Sequence, residues 1–284
     1  MKKAGFHFLA VILLSGIFLP PHQAQEDVVT GSLFIIGGGS RPVEMLERII
    51  KESGIDETGY AYILPLASAE RDSAIYYAKR QFTNLGLKNV RGLLYEENGQ
   101  PTTHQIDSIR NAALIYITGG DQDRFMTAIE NTPIAEAIYH NYRNGGMIAG
   151  TSAGAAIMSK DMITGTELKH PDYNSTFRHL ESDNLELKQG LGLIENVIID
   201  QHFVRRSRYN RLLTAVIDNP KIKGIGIDEA TAILVKGNEA EVVGDSQVIV
   251  FSNRQKSNNT KNGKLAATGI SLDLYLNGDK FKLD

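Results

Sequence analysis

The chain contains no cysteine and no tryptophan. The first absence excludes disulfides, zinc–thiolate sites, iron–sulfur clusters and any thiol nucleophile, so covalent chemistry must use oxygen or nitrogen. Positive charge is not in excess either. The 30 Lys and Arg face 33 Asp and Glu, a net of −3, which removes the broad basic surface that nucleic-acid binding needs. After Leu19 no apolar run is long enough to span a bilayer. What remains, 42% hydrophobic residues over 284 positions, is an ordinary globular composition, large enough for one sizeable α/β domain.

The N-terminus reads as a targeting segment. Lys2 and Lys3 precede the apolar run Phe6–Leu19, then Pro20-Pro21 and a polar stretch around Ala24-Gln25. A basic start, an apolar centre and a small residue near a cut describe a secretory signal over residues 1–25. The run falls short of the about 20 apolar residues of a membrane anchor. No cysteine follows it to carry a lipid. The expectation is a single α/β domain over residues 26–284, secreted or periplasmic, off the membrane once the signal is cleaved.

From Leu33 the chain alternates short apolar runs with amphipathic stretches. Strands are expected at Leu33–Ile36, Tyr60–Leu64, Val90–Leu94, Leu114–Thr118, Met147–Gly150, Val197–Ile199 and Ile222–Ile227. Helical patterns lie between them, at Pro42–Ser53, Asp72–Leu85, Thr103–Asn111, Gln122–Asn131, Pro133–Asn144 and Phe203–Ile217. Fully apolar strands spaced by helices imply a mostly parallel sheet covered on both faces. After Thr231 the texture changes to hairpin-like strands separated by Gly-Asn and Gly-Asp turns, which should extend one edge antiparallel. Residues 254–264 read as a polar loop, and the stretch leading to Val197 as irregular.

Two motifs carry little. Gly37-Gly-Gly39 after a strand lacks the third glycine of a dinucleotide loop, because position 42 is proline; a tight turn is the plainer reading. His170 and Asp172 could begin a metal site, but His104, His140 and His179 lack ligand spacing, so no metal or other cofactor is expected.

The informative stretch is Met147-Ile-Ala-Gly-Thr-Ser152-Ala-Gly-Ala-Ala-Ile157. An apolar strand runs directly into small residues on both sides of a serine and then into a helix. That pattern turns the chain sharply and presents the hydroxyl at the tip, as a nucleophile elbow does. The helix start behind it aims N–H groups at an oxyanion. Three other strand ends match it: Gly119-Gly120-Asp121-Gln122, Asp200-Gln201-His202 and Asp228-Glu229. In parallel α/β sheets the ligand crevice lies outside the carboxyl ends of the strands. Serine, histidine and glutamate at separate strand tips suit a nucleophile, its base and the carboxylate that orients the base. Glu229 is the expected acid, and Glu167 in the irregular stretch the competitor. Arg205, Arg206, Arg208 and Arg211 follow His202 closely and suggest an anionic substrate, since the guanidinium fork matches a carboxylate.

These residues together resemble the cyanophycinases, serine exopeptidases related to the aspartyl dipeptidases of the peptidase E type. The matching segments are Thr118-Gly-Gly-Asp-Gln122, Gly150-Thr-Ser-Ala-Gly-Ala155, Asp200-Gln-His-Phe203 with Arg206, Arg208, Arg211 and Leu212, and Gly224-Ile-Gly-Ile-Asp-Glu229 with Thr231-Ala232. The resemblance runs from about Leu33 to Val243. It implies a fold like the class I glutamine amidotransferases and hydrolysis of cyanophycin, a polyaspartate with arginine on each β-carboxyl, to β-aspartyl-arginine. By resemblance Ser152 is nucleophile and His202 general base, Gly120 and Ala153 give oxyanion N–H groups, and Asp121, Gln122, Asp200, Gln201, Arg206, Arg208 and Arg211 bind substrate. The dipeptidase relatives carry their acid at about the spacing of Glu167, so the choice between Glu229 and Glu167 stays open. The first strand ends in Gly-Gly-Gly-Ser-Arg-Pro42, where the family more usually has a Gly-Gly-Ala-Glu turn. A peptide or polymer substrate is the expected partner, a smaller aspartyl peptide is the other substrate reading, and a homodimer stays open.

Overall fold

The computed structural model describes residues 29–55, 59–95, 99–172 and 176–284. The expected signal segment, residues 1–25, lies outside them.

The first apolar run forms β1 (Ser32–Ile36), buried at every position. Leu33 and Ile35 enter one core and Phe34 and Ile36 another. A strand apolar on both sides must be covered on both, and helices do this. In chain order follow α1 (Val43–Ser53), β2 (Ala61–Leu64), α2 (Arg71–Thr83), β3 (Val90–Gly92), α3 (Thr103–Arg110), β4 (Leu114–Ile117), α4 (Gln122–Ile129), α5 (Ile134–Arg143), β5 (Met147–Thr151) and the single turn α6 (Ala153–Ala156). Met45, Leu46, Ile49, Ala78 and Phe82 of α1 and α2 pack on one face. Ile106, Ile109, Phe125, Ile134 and Ile138 of α3, α4 and α5 pack on the other. The five strands lie side by side, parallel, in the order β1-β5-β4-β2-β3.

The second half of the chain supplies β6 (Asp161–Glu167), β7 (Leu185–Gln189), β8 (Val197–Gln201), α7 (Tyr209–Asp218), β9 (Lys223–Ile227), β10 (Thr231–Lys236), β11 (Glu239–Gly244), β12 (Val248–Asn253), β13 (Asn259–Lys261), β14 (Lys264–Ala266), β15 (Ile270–Tyr275) and β16 (Lys280–Lys282). As expected, antiparallel strands extend the large sheet. They are β10, β11 and β16, beside β1, and they bring it to eight strands.

Three expectations are corrected. First, β8 and β9 do not join the large sheet. They pair in parallel in a separate four-stranded sheet, β15-β12-β9-β8, so the strand tips before Ser152, His202 and Glu229 belong to two sheets. Both sets of strands are buried along almost their whole length, and a run that is to be buried does not say which strand is its neighbour. Second, the irregular stretch contains the β6–β7 hairpin, and the polar loop contains β13 and ends at the first residue of its partner β14. Their mixed, partly exposed side chains leave little periodic signal. Third, the helix expected from Phe203 begins at Tyr209. His202 and Ser207 have φ of 49° and 51°, and the amides of Phe203 and Arg205 donate to Ile227 O and Asp228 Oδ1. An α-helix cannot run through that turn.

Candidate active site

β5 stays buried to its last residue, and the chain then reverses at Ser152 with φ 56° and ψ −114°. Holding a non-glycine residue there costs on the order of 1–3 kcal/mol. The surroundings enforce it. Ser152 N–H donates to Ile36 O at the end of β1 (3.0 Å). Behind it the strand end and α6 approach so closely that a Cβ on Gly150 would sit 2.2 Å from Gly154 O. The serine hydroxyl is thereby fixed at the tip of a rigid turn, beside Gly119 of the β4 turn.

The same end of β1 collects the other two residues. His202 N–H donates to Gly37 O (2.7 Å), Ala230 N–H to Gly38 O (3.0 Å), and Gly37 N–H to Thr231 O (2.9 Å). The first two bonds join the large sheet to the residues just past β8 and β9, and the third continues the β1–β10 pairing within the large sheet. Gly38, at φ 113°, lies flat against the imidazole; a Cβ there would meet His202 Cε1 at 2.4 Å. Neighbouring Gly39 leaves room for the Glu229 side chain in the same way. The triple glycine is therefore the tight turn expected, with a further role: it is the wall against which histidine and glutamate are set. A repeat of three glycines after a strand was the available signal.

The result is a continuous line of hydrogen bonds. His202 Nδ1 lies 2.7 Å from Glu229 Oε1, and His202 Nε2 lies 2.9 Å from Ser152 Oγ. With the Nδ1 proton donated to Glu229, Nε2 accepts from the serine hydroxyl. Burial holds the His202 pKa below the ordinary histidine value; the Glu229 bond opposes this, and the charges of Arg206 and Arg208 reinforce it. A lowered pKa favours the neutral imidazole, the form able to take a proton from the serine.

Glu167, the competing acid, is elsewhere engaged. Its Oε1 accepts from Arg178 N–H (2.9 Å), and its Oε2 lies 2.7 Å from His179 Nδ1 and 3.1 Å from Asn184 Nδ2. Burial alone would raise its pKa, but these three bonds prevail and hold it below the ordinary carboxylate value. Among the described residues, Glu167, His170 and His179 are also the one cluster with metal-ligand spacing.

Several expected substrate-binding residues are paired with one another. Asp200 is 1% exposed and takes both the Nε and Nη2 of Arg211, itself buried, so neither faces an external anion. Arg208 Nη1 donates to Gln201 O and Oε1 at 2.7 and 2.6 Å, which couples those two side chains. Asp121 caps α4 by accepting from Asp123 and Arg124 N–H, a role whose loss costs about 0.5–2 kcal/mol. Gln122 Nε2 donates to Ile163 O and Thr164 O, tying α4 to β6. Each polar group sits too deep, or too near a backbone end, to stay unpaired. Arg206 is the exception: it is exposed and close enough for its charge to depress the His202 pKa. Gly120, at φ 143°, turns the chain after β4, where Asp121 N–H bonds Ala67 O, and Ala153 opens α6 directly behind the serine.

Comparison with known proteins agrees with this architecture. The family model for Peptidase family S51 matches residues 33–243, well over half the chain. A cyanophycinase of Nostoc sp. is 32% identical over 262 residues, covering 89% of this chain and 85% of that protein. One from Geminocystis herdmanii is 32% identical over 272 residues, covering 90% and 95%. The crystal structure of a peptidase from an acI-B1 Actinobacterium shares the fold, with a TM-score of 0.66 and 24% identity over 89% of this chain and 97% of that one. A mixed α/β fold of this kind with these relatives defines a serine-type peptidase, a hydrolase. The chain belongs to peptidase family S51.

Proposed function

We propose that the chain is an exported exopeptidase whose Ser152, His202 and Glu229 hydrolyse cyanophycin, or related β-aspartyl peptides, to β-aspartyl-arginine through an acyl-enzyme. The observation that carries this reading is the unbroken line from Ser152 Oγ to His202 to Glu229, at 2.9 and 2.7 Å, behind a serine in elbow geometry.

As Ser152 Oγ attacks the carbonyl carbon, His202 Nε2 takes its proton. The Gly120 and Ala153 amides receive the charge that develops on the carbonyl oxygen. Collapse of the tetrahedral species breaks the C–N bond, and the leaving amine takes the proton from His202. Water then repeats the sequence on the ester and releases the acid. Glu229 holds the ring tautomer and offsets the imidazolium charge. Arg206 meets a substrate carboxylate at the rim. The substrate class rests on the cyanophycinase relatives, and export rests on the basic-then-apolar N-terminal sequence.

The test is incubation with cyanophycin and, separately, with short β-aspartyl peptides, using Ser152→Ala as control. Release of β-aspartyl-arginine from polymer, lost in the variant by about 10⁴-fold or more at an unchanged melting temperature, is the expected result. Cleavage of short peptides alone would make the protein a scavenging dipeptidase. Tight binding without product would make it a non-catalytic relative. Export is checked by N-terminal sequencing of the protein recovered from outside the cytoplasm.

A further inference from the structure

Between β6 and β7 the described residues of an excursion, 168–172 and 176–184, are mostly exposed or half-buried, and they carry with the end of β6 a cluster the peptidase chemistry does not use. Glu167 is the last residue of β6; His170 and His179 belong to the excursion, and one ligand atom from each lies within 4.8 Å of the others. The two imidazoles are stacked, with ring centroids 3.7 Å apart and planes inclined by 24°. Glu181 stands next to them, its Oε2 lying 3.2 Å from His170 Nε2.

Two imidazoles and one carboxylate are a donor set that suits Zn²⁺ and its neighbours in the first transition row. The remainder of the cluster is arranged as support for ligands. Arg178 N–H holds one oxygen of Glu167 and leaves the other directed at His179. Asn184 Nδ2 donates to that second oxygen, and its Oδ1 accepts from Lys169 N–H (2.9 Å), closing the base of the excursion. Such outer contacts orient metal ligands in known sites. The carboxylate is buried, whereas the histidine side chains are 40% and 37% exposed, so an ion has a path in and an open side for water.

We propose that Glu167, His170 and His179 form a structural site for a divalent ion of the zinc class, independent of the reaction at Ser152. The ion replaces the direct His179–Glu167 contact and draws the three donors to bonding distance. It clips the excursion to β6 in a chain that has no disulfide to do so. The excursion covers α7: Phe177 packs in the same core as Phe203 and Leu212, and Asn210 Nδ2 donates to Phe177 O (3.0 Å). Bound metal therefore stiffens the outer wall of the second sheet.

Calorimetric titration of the metal-stripped full chain with Zn²⁺ tests this, with Co²⁺ absorption as a second readout of nitrogen and oxygen ligation. The expected result is saturable 1:1 binding, a higher melting temperature with Zn²⁺, and unchanged affinity in His202→Ala. His170→Ala and His179→Ala should each weaken binding by more than about 100-fold, and Asn184→Ala by roughly 10–100-fold, as an outer-shell partner does. Both histidine variants should keep normal peptidase turnover at 25 °C, which also shows them folded. Absence of 1:1 binding, equal affinity in the two histidine variants and the parent chain, or loss of binding in His202→Ala instead would each overturn the proposal.

Discussion

Two carboxylate–histidine pairs stand in this molecule at the same length. Glu229 and His202 are 2.7 Å apart, and so are Glu167 and His179, in both cases through Nδ1. Seen alone the two are chemically interchangeable. Their surroundings separate them. His202 is 10% exposed, is set against Gly38, and presents its second nitrogen to a serine on a strained turn. His179 is more than a third exposed and stacks on another histidine. A carboxylate next to an imidazole orients a ring; whatever meets the other nitrogen decides whether the ring moves a proton or supports structure.

The sharpest way to break the comparison is to neutralise each carboxylate. Glu229→Gln should lower kcat by about 10⁴-fold, the size of effect seen when the orienting aspartate of a serine-protease triad becomes asparagine. Glu167→Gln should leave kcat near normal and cost about 1–3 kcal/mol of stability, because its partners lose a charged acceptor in a buried place. Steady-state kinetics with a melting curve for each variant reads both numbers. The reverse pattern would assign Glu167 to the chemistry.

Next in size is the buried pair beside the site. Asp200→Asn leaves Arg211 buried without its counter-charge, and urea unfolding should report a loss of about 3–5 kcal/mol. The loss should be the same with or without substrate, because neither residue is open to it.

The smallest effect belongs to Arg206. It is exposed, so the ion pair proposed for it with a substrate carboxylate would be worth little after solvent screening, and Arg206→Ala should weaken use of an anionic peptide only a few-fold. Its influence on His202 is the more telling measurement. A nearby cation disfavours imidazolium, so removing it raises the His202 pKa and moves the acid limb of the kcat/KM profile to higher pH. Glu229→Gln removes a contact that favours imidazolium, so the same pKa, followed by NMR, should fall. The opposite signs follow from the two charges acting on one ring.

Much of this architecture is legible in the sequence. The alternation of fully apolar runs with amphipathic stretches announces a parallel sheet covered on both faces, because each strand needs partners on both sides. Gly150-Thr-Ser-Ala-Gly154 announces a sharp turn at Ser152, because small neighbours are a local requirement of that turn. The arginines after His202 are legible as charges but not as partners. Arg211 and Arg208 read as substrate-binding cations, and only the structure adds that Asp200 and Gln201 hold them. The β6–β7 hairpin goes unread because its side chains mix exposed and buried positions without a steady period.

The amino-acid sequence by itself therefore determined the parallel strands, most helices, the elbow and the set of residues from which an active site could be drawn, since each depends on neighbours a few positions away. Which members of that set meet was decided only by tertiary structure. The tips of β8 and β9 reach Ser152 because His202 N–H and Ala230 N–H bond the carbonyls of Gly37 and Gly38, just past a strand near the other end of the chain. No local pattern encodes a contact of that range; it forms when two sheets close on one another, and that closure selects Glu229 for His202 and leaves Glu167 with His179 and His170.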